Sequence, residues 1–130
     1  MNVAYLSLVI SGIALLISIA AFLWYRKWYK YHYLAEVWYE IKKIALDHPN
    51  FKNGQKTKDY KNSFSGDERL KYEVFAELCW GYVEDLWVNG YAKKEFYIPT
   101  LKEFKRLHEC WLRENRHDYS EEMIKFINQL

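Results

Sequence analysis

The sequence predicts an all-α protein: an N-terminal transmembrane helix continuing into a cytoplasmic bundle of about four helices. Three observations predict it. Val3 to Trp24 is a 22-residue run of apolar and small side chains, and the first 25 residues contain no Asp, Glu, Lys or Arg. Beyond that run, apolar residues recur with the 3.6-residue period of a helix, and no alternating strand pattern competes. Three capping boxes, in which a Ser, Thr or Asp is followed three residues later by Glu, open candidate helices at Ser65, Thr100 and Asp118.

The apolar run comes first. At about 1.5 Å per residue it reaches roughly 33 Å as a helix, enough for a hydrocarbon core of about 30 Å. Backbone in lipid has to satisfy its own hydrogen bonds, so a single crossing segment is helical. A cleaved signal peptide is the competing reading, with Ser18-Ile19-Ala20 as a small-x-small cleavage site. The run lacks a basic leader and continues past that site to Trp24, so residues 1–25 are expected to remain as an anchor and 26–130 to form the cytoplasmic domain.

The stretch Ala21 to Glu40 then interleaves nine aromatic rings with Arg26, Lys27, Lys30 and His32. Trp24, Tyr25, Trp28 and Tyr29 suit the headgroup layer, and Arg26, Lys27 and Lys30 can reach lipid phosphates on their long stems. Membrane lipid is therefore the first expected partner. A basic cluster on this side of the span, against Met1-Asn2 on the other, places the C-terminal part in the cytoplasm by the positive-inside tendency. The charge distribution agrees: residues 26–61 hold nine Lys/Arg against four Asp/Glu, while residues 62–90 hold two against six. A net charge of +2 is too small to point to nucleic acid, and a basic patch abutting a span is better explained by anionic lipid.

Within the span, Ala4, Ser7, Ser11, Ala14, Ser18 and Ala21 follow one another at alternating spacings of 3 and 4. Such a seam of small residues lets a second helix approach closely, with hydroxyls available to bond across. A homo-oligomer or a partner membrane protein is expected on this side.

The helix is expected to run on until Pro49, because no Gly or Pro occurs between Gly12 and Pro49, and Leu34, Val37, Trp38, Ile41, Ile44 and Ala45 keep helical spacing. The connection NFKNGQKTKDYKNSFSG is long for a compact domain, so it is either ordered by Phe51, Tyr60 and Phe64 or functional. A second helix is expected from Asp67 to Val88, closed by Asn89-Gly90. It is apolar almost all round, which marks a buried hub. Gly81 within it suggests a close helix crossing, since glycine there costs roughly 1 kcal/mol. A third helix follows from Thr100 to Glu114, with Leu101, Phe104, Leu107 or His108, and Trp111 inward. A terminal one after Asp118 turns Met123, Ile124 and Ile127 inward.

No residue set carries a catalytic signature. Glu84 and Asp85 are adjacent on a helix and point about 100° apart, so they do not converge. His48, His108 and His117 with Cys79 and Cys110 lack metal-ligand spacings, and no metal or other cofactor is expected. The two cysteines stand alone and are expected to be free thiols. Phosphate-binding glycine loops and the nucleophile elbow are absent.

The span followed by VWYEIKKIALDHPNF, YEVFAELCWGYVEDLW and YIPTLKEFKRLHECWLREN resembles small bacterial single-pass membrane proteins of unknown function. The resemblance implies a bacterial inner-membrane location and a helical cytoplasmic module, and carries over no catalytic residue. A non-catalytic, membrane-anchored interaction module that self-associates through its span is the expected function. The alternative is an accessory structural subunit of a larger membrane complex.

Overall fold

The computed structural model describes residues 2–130 and is all-α, with no strand among them. Six helices follow in order: α1 (Val3–Asp47), α2 (Gly54–Lys58), α3 (Tyr60–Ser63), α4 (Gly66–Val88), α5 (Ile98–Glu114) and α6 (Glu121–Asn128). Single 3-10 turns lie at Pro49–Lys52 and Arg116–Asp118. Packing divides the chain into two compact units between Ala35 and Glu36. The boundary at residue 25 is one of composition, where charged residues begin; this one is set by contacts.

The first unit is the N-terminal part of α1. Asn2 caps it: its side-chain carbonyl accepts the Ala4 N–H at 3.2 Å, and its backbone carbonyl accepts those of Tyr5 and Leu6. Every residue from Asn2 to Tyr33 is exposed, large aliphatic side chains included.

The second unit, Glu36–Leu130, builds its core around α4, which buries Tyr72, Phe75, Ala76, Cys79, Trp80, Tyr82, Val83 and Leu86. The hub expected from the all-round apolar pattern is therefore present. Trp38 of α1 packs on Tyr82, with ring centroids 5.6 Å apart, and on Phe104 at 6.1 Å. Further along, Ile41 and Ala45 share a small cavity with Phe75, Leu107 and His108. As numbering rises in α1 it falls in α4 and rises in α5. The bundle part of α1 is thus antiparallel to α4 and parallel to α5.

The segment between α1 and α4 is ordered, and its three aromatic anchors are the reason. Phe51, Tyr60 and Phe64 are buried around Tyr72, with centroids 5.5, 5.2 and 4.9 Å from its ring. Such pairs add about 0.5–1.5 kcal/mol each beyond burial. Helix α2 within this segment packs on α5 and starts at Asn53, whose side chain accepts the N–H groups of Gln55 and Lys56.

The helix ends depart from the expected boxes. Ser65 holds the position before α4 but makes no side-chain capping bond; Gly66 follows it at φ +54, outside the right-handed helical range that a capping box requires of its first turn. Helix α5 begins at Ile98 with Pro99 in its first turn, so Thr100 falls inside the helix. Proline's fixed φ suits a first turn, and this moved the start two residues upstream. Helix α6 is capped by Ser120, whose hydroxyl accepts the Met123 N–H at 3.3 Å. Asp118 closes the preceding 3-10 turn instead.

Gly81 is a further correction. A Cβ there would meet nothing within 4 Å, so no helix crosses it in the described residues. The end of α4 follows expectation. Gly90 sits at φ +74, its N–H bonds the Trp87 carbonyl at 3.0 Å, and the Tyr91 N–H bonds the Leu86 carbonyl at 2.8 Å, which is the Schellman pattern.

Candidate functional site

The first candidate surface is the apolar part of α1, which is long and apolar enough to cross a membrane and has none of that window buried. Ala4, Ser7, Ser11, Ala14, Ser18 and Ala21 all lie exposed on it. The Ser18 hydroxyl donates to the Ala14 carbonyl at 2.9 Å, within the seam itself. A serine bonded to its own helix i−4 carbonyl has its donor engaged. The aromatic stretch is exposed as far as Tyr33, whereas Leu34 is buried and Trp38 half-buried. Tyr25 lies 6.5 Å from Trp28 and 6.4 Å from Tyr29 between ring centroids, and Trp28 lies 3.9 Å from the His32 ring. Arg26, Lys27 and Lys30 are exposed among these rings.

A second constellation lies inside the bundle; sequence weighed only His108 of its members as a possible ligand, Tyr72 and Trp80 reading as core positions of α4. His108 interrupts α5 with non-helical backbone, φ −124 and ψ 15. Leu107 and His108 are both buried, 1% exposed each. His108 Nδ1 lies 3.1 Å from the Tyr72 hydroxyl, and its carbonyl accepts the Trp80 indole N–H at 3.2 Å. Burial, reinforced by the Arg106 charge, lowers the imidazole to about 3, so the ring is neutral at physiological pH. The same burial raises the Tyr72 hydroxyl above its ordinary value. The contact gives two buried polar groups a partner in each other.

At the surface, α3, α4 and the end of α5 enclose a groove of about 720 Å³. Its walls include exposed Leu70 and Val74 and the edge of buried Trp111. Glu114 forms its charged rim: one carboxylate oxygen accepts the Tyr60 hydroxyl at 2.6 Å and pairs with Lys61 Nζ at 2.7 Å. Hydrogen bonds from Lys61 and then Tyr60 hold this carboxyl below its ordinary range. Arg69 pairs with Glu73 at 3.0 Å across one helical turn. The groove's charges are thus largely neutralised in pairs. No spacing rule links Tyr60 to Glu114, because the bond joins residues 54 positions apart.

The remaining reactive groups are placed for packing. Cys79 and Cys110 are free thiols, and burial pushes Cys79 well above the usual thiol range, so it is held neutral. Asp85 is raised by burial, while Glu84 beside it is half-buried on a different azimuth of α4. Among the described residues, no group of three or more His, Cys, Asp or Glu could hold a metal ion. Comparison with models of known families, with curated proteins and with solved structures finds no match.

Proposed function

We propose that this chain is a membrane-anchored, non-catalytic interaction module that self-associates through the seam Ala4–Ala21. In this proposal the anchor lies in a bacterial inner membrane and the bundle in the cytoplasm. The observation that carries it is the exposed apolar surface of α1 from Val3 to Trp24, none of which is buried. Such a surface is unfavourable in water and suited to lipid. Arg26, Lys27 and Lys30 directly after it favour the cytoplasmic side for the bundle. The buried, neutral states of His108 and Cys79 support a packing role for the groups best suited to catalysis.

Helices in lipid gain little from hydrophobicity on meeting, so they rely on close packing and cross-helix hydrogen bonds. With Ser18 bonded to Ala14, Ser7 and Ser11 supply the hydroxyls for a facing helix. Replacing Ser11 and Ala14 by Leu should abolish a crosslinking or two-hybrid signal between membrane-embedded copies. Ile13→Ala and Leu15→Ala, which lie off the seam, should leave it within about twofold. Equal signals from both pairs would overturn self-association through this face. A parent that never self-associates, yet loses a co-purifying protein on the seam swap, would replace it with the subunit of a larger complex.

A further inference from the structure

We propose that the connection between α4 and α5 is a second membrane contact, a basic aromatic turn that rests on an anionic bilayer surface. This rests on the anchor reading above and adds a site outside the span. The connection reads Asn-Gly-Tyr-Ala-Lys-Lys-Glu-Phe-Tyr from Asn89 to Tyr97. Phe96 near its end is 84% exposed, and Val88, where α4 ends, is 74% exposed. The turn itself is anchored rather than loose: Ala92 is buried, and the N–H groups of Tyr91 and Ala92 both bond the Leu86 carbonyl. Four residues beyond this anchor the Phe96 ring stands out in solvent, edge-on to the Tyr97 ring at 5.1 Å between centroids.

Two cations accompany that ring. Lys93 Nζ stands 5.2 Å over the Trp87 ring and Lys94 Nζ 4.5 Å over the Tyr91 ring. Glu95 offsets one of them, leaving the turn with a net charge of +1. An exposed aromatic beside lysines whose stems lie along rings is the combination that inserts shallowly among headgroups and acyl chains. It repeats the chemistry of the Trp24–Lys30 stretch. Position favours the same occupant. Because α4 is antiparallel to the bundle part of α1, the turn lies at the end of the unit where its chain starts, at Glu36. The chain enters this unit at Glu36, directly from Ala35. Leu46 is as exposed as Phe96, at 81%, but sits at the opposite end of the bundle, which makes it the natural control.

The test uses the full chain in a Cys110→Ser background, reconstituted in vesicles of phosphatidylcholine alone or with about one-third phosphatidylglycerol. A fluorescent thiol label is placed in turn by Glu95→Cys, Leu46→Cys and Leu15→Cys, and quenched by nitroxide-bearing lipids or by aqueous iodide. The label at 95 should be quenched by lipid at least twofold more in anionic than in neutral vesicles, and the label at 46 by iodide alone. Combining Lys93→Ser, Lys94→Ser and Phe96→Ser should remove lipid quenching at 95 while circular dichroism stays unchanged. Iodide access at 95 equal to that at 46, with position 15 in lipid, overturns the turn contact and leaves the anchor standing. Shielding at 95 from both quenchers identifies a protein cover and overturns it equally. Water at position 15 overturns the anchor and, with it, this contact.

Discussion

At Gly90 the backbone sits at φ +74, where a side chain would crowd the neighbouring carbonyl at a cost of about 1–2 kcal/mol. Gly81 has ordinary helical backbone and open space where a Cβ would stand. Glycine is there only less favourable than alanine, by about 0.5–1 kcal/mol. The same substitution is therefore expected to act in opposite directions. Gly81→Ala should raise the bundle's stability by that smaller amount, and Gly90→Ala should lower it by the larger one, read from urea unfolding followed by tryptophan fluorescence. Shifts of the same sign would mean that either the Schellman end or the open face of α4 is misassigned. Gly90 was legible because Asn-Gly after an apolar helical run is a stop signal. Gly81 was not, because a mid-helix glycine reads equally as a close crossing or as bare surface until its neighbours are placed.

Among elements, type and extent were largely readable, and starts were not. The apolar stripes of α4, α5 and α6 are the buried residues observed, since burial follows the helical period and tolerates small errors in the ends. Caps depend on one residue's hydrogen bond, so a shift of two positions changes the answer. Three sequence boxes were expected to cap, yet the observed side-chain caps in the bundle are Asn53 and Ser120. Ser120→Ala should then cost about 1 kcal/mol, and Asp118→Ala, Thr100→Ala and Ser65→Ala less than half as much. Thermal unfolding of the four variants decides it. A larger loss at Asp118 than at Ser120 would restore the original register for α6. The internal site was less legible still. Sequence placed His108 as an alternative to Leu107 on one stripe; the structure buries both, with a backbone break at His108, and its bonds to Tyr72 and Trp80 join residues far apart in the chain, which periodicity does not report. Likewise, the 49–66 connection looked like a long loop because its short helices carry no periodic stripe, and only its three buried rings announced order.

At the scale of the whole molecule, stability and pH are coupled through the same buried histidine. His108 takes up a proton at about 6.5 when unfolded, but only near 3 in the folded bundle. Between those values the unfolded chain binds more protons, so stability is complete above pH 6.5 and falls as the solution is acidified. The slope approaches about 1.4 kcal/mol per pH unit once the unfolded histidine is protonated. Asp85 acts in the opposite sense. Its raised folded value means that protonation favours the folded state as pH falls toward the ordinary 3.8, which softens the loss at the acid end. Glu114 adds a loss below its ordinary 4.5, held small by its exposure to solvent. The window from pH 6.5 to 5 therefore belongs chiefly to His108. Denaturation of the full chain in neutral detergent should show a falling midpoint across that window. His108→Asn, which can still meet the Tyr72 hydroxyl, should lower stability at pH 7 but flatten the dependence. An unchanged acid slope in that variant would show that the imidazole is not buried neutral, and would break the link between the α5 interruption and the core around Tyr72.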